Sequence, residues 1–191
     1  MRVSPQRQTS SFARKPLVSV CTPSVPERAE MLAELRASVD AQTMRDWEHL
    51  VMVDAEYQGC SRTLNQIAAE AHGDWLFLVA DDDLLLPDCL AAHLAASAEA
   101  DVVYSPPVVE GEPEAPFHGE PPGIPSSALI RKTLWDDLGG YDVDRAQCED
   151  YDFFERALGV GARFVRIPEQ AWVYRFHGKN KSRAPWAGVR S

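Results

Sequence analysis

The sequence predicts an α/β fold in which a mostly parallel central sheet is flanked by helices. Short apolar runs typical of strands alternate with segments whose apolar residues recur at helical spacing. The helical segments are about ten residues long, which suits crossovers between neighbouring parallel strands. The 191 residues, 45% of them hydrophobic, have the length of one globular domain. The build is Rossmann-like, but no Gly-x-Gly-x-x-Gly follows the first strand, so a dinucleotide cofactor is disfavoured.

Three strand–helix units and a fourth strand fill the first half of the chain. Each predicted strand is a short apolar run that ends at polar or turn-forming residues, and each predicted helix has its apolar residues on one face. The strands are predicted at residues 17–21, 47–53, 75–80 and 101–104. The helices are predicted at about residues 31–39, 61–71 and 87–98.

The second half begins with a segment that breaks this alternation. Residues 105–126 are rich in proline and glutamate, so we predict a long surface loop that is either functional or disordered. After it, strands are predicted at residues 128–130, 163–167 and 171–176, and helices at residues 131–138 and from about residue 148. The acidic first turn of the last helix suits the helix dipole, which is a structural alternative to a catalytic role for its acids.

The ends of the chain and its composition narrow the function classes. Residues 1–15 carry four cations and no acid, and they are predicted to form a disordered basic leader, while residues 184–191 form a C-terminal tail. Four widely spaced cysteines favour a reducing, cytoplasmic setting. No apolar stretch approaches about 18 residues, so no membrane span is expected. A net charge of -10 argues against a general nucleic-acid binder, because phosphate backbones would be repelled.

Three consecutive aspartates, Asp81, Asp82 and Asp83, directly follow the apolar run of the third strand. The carboxyl end of a strand is where an open α/β sheet binds its ligands. Three adjacent carboxylates repel one another, and a divalent cation that also carries phosphates is the usual reason to tolerate this. The alternative is a solvated acidic turn before the helix at Pro87.

Several motifs in fixed order resemble the family 2 glycosyltransferases of GT-A fold. They are Val18-Ser19-Val20, Pro23-Ser24, Asp54, Leu64-Asn65, Gly73-Asp74, Asp81-Asp82-Asp83 with Pro87, Gly139-Gly140-Tyr141-Asp142, Glu149-Asp150 and Tyr174-Arg175-x-His177. The resemblance covers residues 16–183, which implies that this range is a GT-A glycosyltransferase domain. Each motif is common alone, and the specificity comes from their order and spacing.

The resemblance implies donor-binding roles near the first two strand ends. Pro23-Ser24 and Asp54 match the family positions that hold the nucleotide base and ribose. The family's usual Val-Asp-Asp-Gly-Ser is Val53-Asp54-Ala55-Glu56 here, so base recognition is expected to differ. The further nucleotide-sugar-binding candidates are Arg62, Asn65, Asp81 and Lys179. For Arg62 the alternative is an exposed helical arginine, and for Lys179 it is a solvated basic tail.

The resemblance also implies a site for Mn²⁺ or Mg²⁺. Aligned on Pro87, the first acid of the family's Asp-x-Asp motif falls on Ala80, and the later acids fall on Asp82 and Asp83. Asp82 is therefore the main expected metal ligand and Asp83 a further one, while Asp81 contacts the ribose or takes over the displaced ligand role. His177 is expected to bind the metal or the diphosphate, with a structural surface histidine as the alternative.

Glu149-Asp150 matches the family's Glu-Asp motif, which makes Asp150 the general base and Glu149 a residue that orients acceptor or sugar hydroxyls. Inversion at the anomeric carbon needs only one such base. The expected function is transfer of a single sugar from a nucleotide-diphosphate sugar, UDP being the commonest, to a glycan, lipid-linked, protein or small-molecule acceptor. Two alternatives stay open: a catalytically degenerate sugar-nucleotide-binding or scaffold protein, and a metal-dependent nucleotidyltransferase or phosphohydrolase.

Overall fold

The computed structural model describes residues 4–10, 15–111, 125–145, 149–177 and 180. The strands are β1 (Gln6–Thr9), β2 (Val18–Ser24), β3 (Trp47–Val53), β4 (Trp75–Leu78), β5 (Leu84–Leu85), β6 (Val102–Tyr104), β7 (Pro107–Glu110), β8 (Ala128–Arg131), β9 (Phe164–Arg166) and β10 (Trp172–Arg175). The α-helices are α1 (Ala29–Asp40), α2 (Cys60–Ala69), α3 (Cys89–Ala95), α4 (Lys132–Leu138) and α5 (Glu149–Gly159), with 3₁₀ turns at Pro26–Arg28 and Ser97–Glu99.

The central sheet has seven strands in the order β1-β3-β2-β4-β8-β6-β9. β2 pairs in parallel with both β3 and β4, and β6 pairs in parallel with β9. β8 lies between β4 and β6 and is antiparallel to both, and β1 is antiparallel to β3. Five of the seven strands therefore run in one direction, which confirms the predicted α/β class and the mostly parallel sheet.

Helices cover both faces of this sheet. Successive side chains of β4 point to opposite faces, and each face belongs to its own apolar cluster. Trp75 and Phe77 pack with residues of α1 and α3, such as Leu35 and Leu90. Leu76 and Leu78 belong to the opposite cluster, which α2, α4 and α5 supply with Ile67, Trp135 and Phe153. A strand that is apolar on both sides is typical of a sheet buried between two helical layers.

A second, three-stranded sheet has the order β5-β10-β7. β7 lies inside the segment that we predicted to be a continuous loop, so that prediction is wrong for Pro107–Glu110. These residues pair in parallel with β10, more than sixty positions along the chain, a partner that no local pattern reveals. Residues 112–124 lie outside the described part. The small sheet places the residues after β4 next to the end of β10.

The prediction of a disordered leader is wrong for Gln6–Thr9. These residues form β1, which extends the central sheet beside β3. Arg7 anchors the strand, because its guanidinium pairs with Glu48, a β3 residue with no solvent exposure. Residues 6–9 carry no apolar run, which is why the sequence did not predict this strand. At the edge of the sheet the strand is held by backbone pairing and by the polar contact of Arg7. The predicted C-terminal tail lies outside the described residues.

Candidate active site

The carboxyl ends of three neighbouring strands, β3, β2 and β4, meet at one edge of the central sheet. The backbone nitrogen of Asp54, after β3, donates to the carbonyl oxygen of Ser24 at the end of β2 over 2.8 Å. The Ser24 hydroxyl in turn donates to Asp81 Oδ2, after β4, over 2.6 Å. Ser24, Asp54 and Asp81 are all buried. The structure therefore brings together three of the predicted donor-binding residues.

The aspartate cluster is buried rather than a solvated turn, since Asp81, Asp82 and Asp83 are 2%, 6% and 3% exposed. Arg28, at the end of the first 3₁₀ turn, bridges two of these carboxylates. Its Nη1 lies 2.8 Å from Asp81 Oδ1 and 2.9 Å from Asp82 Oδ2. His177 Nε2 lies 3.0 Å from the same Asp82 oxygen. Asp82 is thus the centre of the cluster.

Asp83 differs from its neighbours because its contacts come mainly from the backbone. The Arg175 backbone nitrogen donates to Asp83 Oδ1 over 3.2 Å. Burial, the larger cause, and the nearby carboxylate of Asp82 together raise the pKa of Asp83 from 3.8 to about 8. At neutral pH Asp83 therefore retains a proton unless further positive charge reaches the cluster.

Arg175 links this cluster to the helix on one side of the sheet. Its Nε donates to the backbone carbonyl of Asp82 over 2.5 Å, and its Nη1 pairs with Glu34 of α1. Its Nη2 is buried and has no hydrogen-bond partner within the described residues. The sequence showed Arg175 only as part of the Tyr174-Arg175-x-His177 motif, and Arg28 was not predicted at all. Arg28 directly precedes α1, and a cation at the start of a helix gives no sequence signal that its side chain points back toward acids.

The two carboxylate oxygens of Asp54 differ in their hydrogen bonding. Its Oδ2 accepts the backbone N–H of Gly59 over 2.9 Å, whereas the buried Oδ1 has no hydrogen-bond partner in the described part of the chain. Beside it, the Tyr57 hydroxyl contacts Glu27, which joins the loop after β3 to the turn after β2. An unpaired buried carboxylate oxygen is costly, and a ligand N–H or O–H would satisfy it.

Asn65 and Asp150 belong to a second group, on the α2 and α5 side of the sheet. The Asn65 amide makes two hydrogen bonds with the backbone of Tyr141, of 2.8 and 2.9 Å. Burial, the larger cause, and the charge of Asp150 raise the pKa of Tyr141. Asp150 is half-buried in the first turn of α5, where its Oδ1 accepts the Tyr151 N–H over 2.9 Å, and Glu149 is buried.

The remaining predicted residues are placed as follows. Pro23 is a half-buried residue of β2 opposite Met52 of β3, and Arg62 is exposed on α2. Lys179 lies outside the described residues. The predicted roles of all these residues stay predictions.

The chemistry of the cluster fits a divalent cation in part. Asp82 Oδ2 and His177 Nε2 are adjacent, and both atom types bind Mn²⁺. Within the described residues, no three His, Cys, Asp or Glu side chains are arranged to hold a metal. Cations of this kind are commonly held by one or two protein groups and completed by substrate phosphates and water. The pair therefore fits a cation whose remaining ligands are water or the oxygens of a diphosphate.

Comparison with known proteins places the fold. No family model matches the chain. An uncharacterized glycosyltransferase of Bacillus subtilis (strain 168), YwdF, is 24% identical over 198 residues, covering 81% of this chain and 74% of that protein. Among solved structures, S. aureus TarS 1-349 in complex with UDP-GlcNAc superposes with a TM-score of 0.74 at 15% identity, covering 88% of this chain and 61% of that one.

A second solved structure agrees with the first. The mannosyltransferase PcManGT from Pyrobaculum calidifontis, in complex with GDP-Man and Mn²⁺, gives a TM-score of 0.68 at 16% identity and covers 87% of this chain and 59% of that one. The chain thus spans about three fifths of the length of these two structures. The fold is that of the GT-A glycosyltransferases, which confirms the fold that the sequence motifs predicted. Membership of family 2 stays a prediction.

Among the described residues, no helix is both long and apolar enough to cross a membrane.

Proposed function

We propose that this chain is an inverting, metal-dependent glycosyltransferase that moves a single sugar from a nucleotide-diphosphate sugar to an acceptor hydroxyl. The observation that carries the proposal is the convergence of Ser24, Asp54 and the buried aspartates at adjoining strand ends of a GT-A fold. Support comes from the neighbours, which were solved with UDP-GlcNAc and with GDP-Man and Mn²⁺. UDP is the first nucleotide to test.

The nucleoside binds beside Asp54 and Asp81 in this proposal. The Asp54 oxygen that has no donor among the described residues accepts an N–H or O–H of the base or ribose. Asp81 is held by Ser24 and Arg28, which fixes its carboxylate for a ribose hydroxyl. Because the second aspartate of the family motif is missing, the choice of base depends on Asp54 and its loop rather than on a carboxylate pair.

Asp82 and His177 are the proposed protein ligands of Mn²⁺ or Mg²⁺, with Asp83 as a further carboxylate beside them. When bound, the cation neutralises charge that develops on the departing diphosphate. Asp82 is ready for this role because its carboxylate already lies against His177 and is shielded from bulk water. Ionisation of Asp83 is favoured once a divalent charge reaches the cluster, since burial and Asp82 are what raise its pKa.

Asp150 is the proposed general base. It takes the proton of the acceptor hydroxyl while that oxygen bonds to the anomeric carbon and the bond to the diphosphate breaks on the opposite face. The residue is half-buried in the first turn of α5. Glu149 orients acceptor or sugar hydroxyls. The acceptor is a glycan, a lipid-linked, a protein or a small-molecule hydroxyl, and the predicted cytoplasmic setting stays a prediction.

The test separates donor binding from transfer. Binding of UDP-, GDP- and dTDP-sugars with Mn²⁺ is measured by calorimetry, and turnover is measured as release of the nucleoside diphosphate with and without pooled acceptors. We expect Asp82→Asn to lose metal-dependent donor binding, and Asp150→Asn to bind normally but lose transfer.

The control for the base is Asp152→Asn, which removes a carboxylate from the same turn. Asp152 is held by Arg156 and Arg145, so its loss should leave turnover near the wild-type rate. Turnover by Asp150→Asn at the rate of this control would show that Asp150 is not the base. Wild-type donor binding without any turnover would favour the degenerate binding protein instead.

A further inference from the structure

Arg28 bridges two of the acids in the carboxylate cluster. It ends the 3₁₀ turn after β2, and its Nη1 lies within 2.9 Å of one oxygen each of Asp81 and Asp82. The side chains of these aspartates are 3% and 8% exposed, and that of Arg28 is 28% exposed. One guanidinium thus compensates two adjacent buried carboxylates, an arrangement in which removal of the cation leaves uncompensated charge.

The contact to Asp82 uses the oxygen that a metal would need. Asp82 Oδ2 is 2.9 Å from Arg28 Nη1 and 3.0 Å from His177 Nε2. A divalent cation bound by Asp82 and His177 would lie within a few ångströms of the guanidinium, where like charges repel strongly in a partly buried site. The Arg28 guanidinium and the divalent cation therefore compete for Asp82 Oδ2.

We propose that Arg28 is the residue that sets how tightly this site binds a divalent cation. In the metal-free protein its guanidinium forms ion pairs with both Asp81 and Asp82 and so offsets part of their charge. When the metal binds Asp82 and His177, Arg28 gives up Asp82 Oδ2 and keeps its contact with Asp81 Oδ1, which lies on the other carboxylate. The inference rests on the metal site of the proposed function, and it adds a competing residue that the site's ligands alone do not imply.

The experiment titrates wild type and Arg28→Met with Mn²⁺ alone. Binding is monitored through the relaxation rate of water protons. Methionine retains apolar bulk but has no charge. Removing the competing cation should tighten Mn²⁺ binding by about tenfold, a modest fraction of the interaction expected between charges this close. Arg28→Lys keeps a cation near the acids and should stay close to wild type.

Lys132→Met is the matched control, because it removes the same charge from an ion pair with Asp136 on the surface of α4. It should leave Mn²⁺ affinity unchanged. Equal or weaker Mn²⁺ binding by Arg28→Met, or binding in neither protein, would overturn the proposal. Circular dichroism checks each fold, and Arg28→Gln replaces the methionine variant if that variant does not fold.

A double variant separates this inference from the proposed function. Adding Asp82→Asn to Arg28→Met should abolish the tighter binding if Asp82 holds the metal. If Asp82→Asn changes nothing, the proposed metal site is wrong. If Asp82→Asn weakens binding while Arg28→Met does not strengthen it, the metal site stands and the role of Arg28 is refuted.

Discussion

The contact between Arg7 and Glu48 predicts that the first strand contributes measurably to stability. The Glu48 side chain is 1% exposed, and its Oε2 lies 2.6 Å from Arg7 Nη1. Its Oε1 accepts hydrogen bonds from the Ser19 hydroxyl and the His72 backbone N–H, each 2.7 Å long. In Arg7→Met the nearest cationic group left to Oε2 among the described residues would be His72 Nδ1 at 3.7 Å, which is too far for a hydrogen bond.

The cost follows from the burial of each partner. Removing one partner of a fully buried ion pair costs about 3–5 kcal/mol, and we reduce this to about 2 kcal/mol because nearly a third of the Arg7 side chain is exposed, at 31%. For a domain of this size the loss corresponds to a fall in Tm of roughly 4–8 °C. Equilibrium urea unfolding, followed by circular dichroism, measures it directly.

Two comparisons make the test specific. Lys15→Met removes an ion pair with Asp74 in which both side chains are more than half exposed, so a change below about 0.5 kcal/mol is expected. Glu48→Gln in the Arg7→Met background should recover part of the loss, since the buried charge is gone. An Arg7→Met variant as stable as Lys15→Met would refute the reasoning and favour the disordered leader that the sequence alone predicted.

Two further outcomes test the packing around the site. Burial lowers the pKa of His49 from 6.5 to about 3, so the unfolded chain takes up a proton first and stability should fall as pH drops from about 6.5 toward 3. In His49→Gln the urea unfolding midpoint should change less between pH 7 and pH 5 than it does in wild type. An equal change in the two proteins would contradict this prediction. Gly140 and Gly161 both have positive φ, but only at Gly140 would a Cβ overlap the Asn65 side chain. Gly140→Ala should therefore cost about 2 kcal/mol more than Gly161→Ala in the same assay, and equal costs would contradict the packing.

Local patterns were sufficient where an element is defined by its own residues. The predicted strand at residues 47–53 has the observed bounds of β3, and the helix predicted from Ser61 corresponds to α2. Both have apolar faces that point into the core regardless of their neighbours. β1, β5 and β7 were not predicted because each is short and depends on a partner that is distant in sequence, or on polar anchors.

The candidate site was predictable in its acids but not in its cations. A run of aspartates after a buried strand must lie at the sheet edge, so Asp81–Asp83 could be located from sequence. Where a long, flexible side chain points depends on tertiary packing, so the bridge from Arg28 to Asp82 needed the structure. Asn65 shows the same limit, because its amide contacts the backbone of Tyr141.

The most direct test of the proposed function is thermal stabilisation by UDP, GDP, dTDP, CMP and ATP, each with and without Mn²⁺, in wild type and Asp82→Asn. A ligand at about 100 times its Kd stabilises by roughly 2.7 kcal/mol, which raises the Tm by several degrees. We expect one nucleoside diphosphate to give a Mn²⁺-dependent shift that Asp82→Asn loses. No shift with any nucleotide, or an equal shift in Asp82→Asn, would contradict a metal-dependent nucleotide-sugar site at the end of β4.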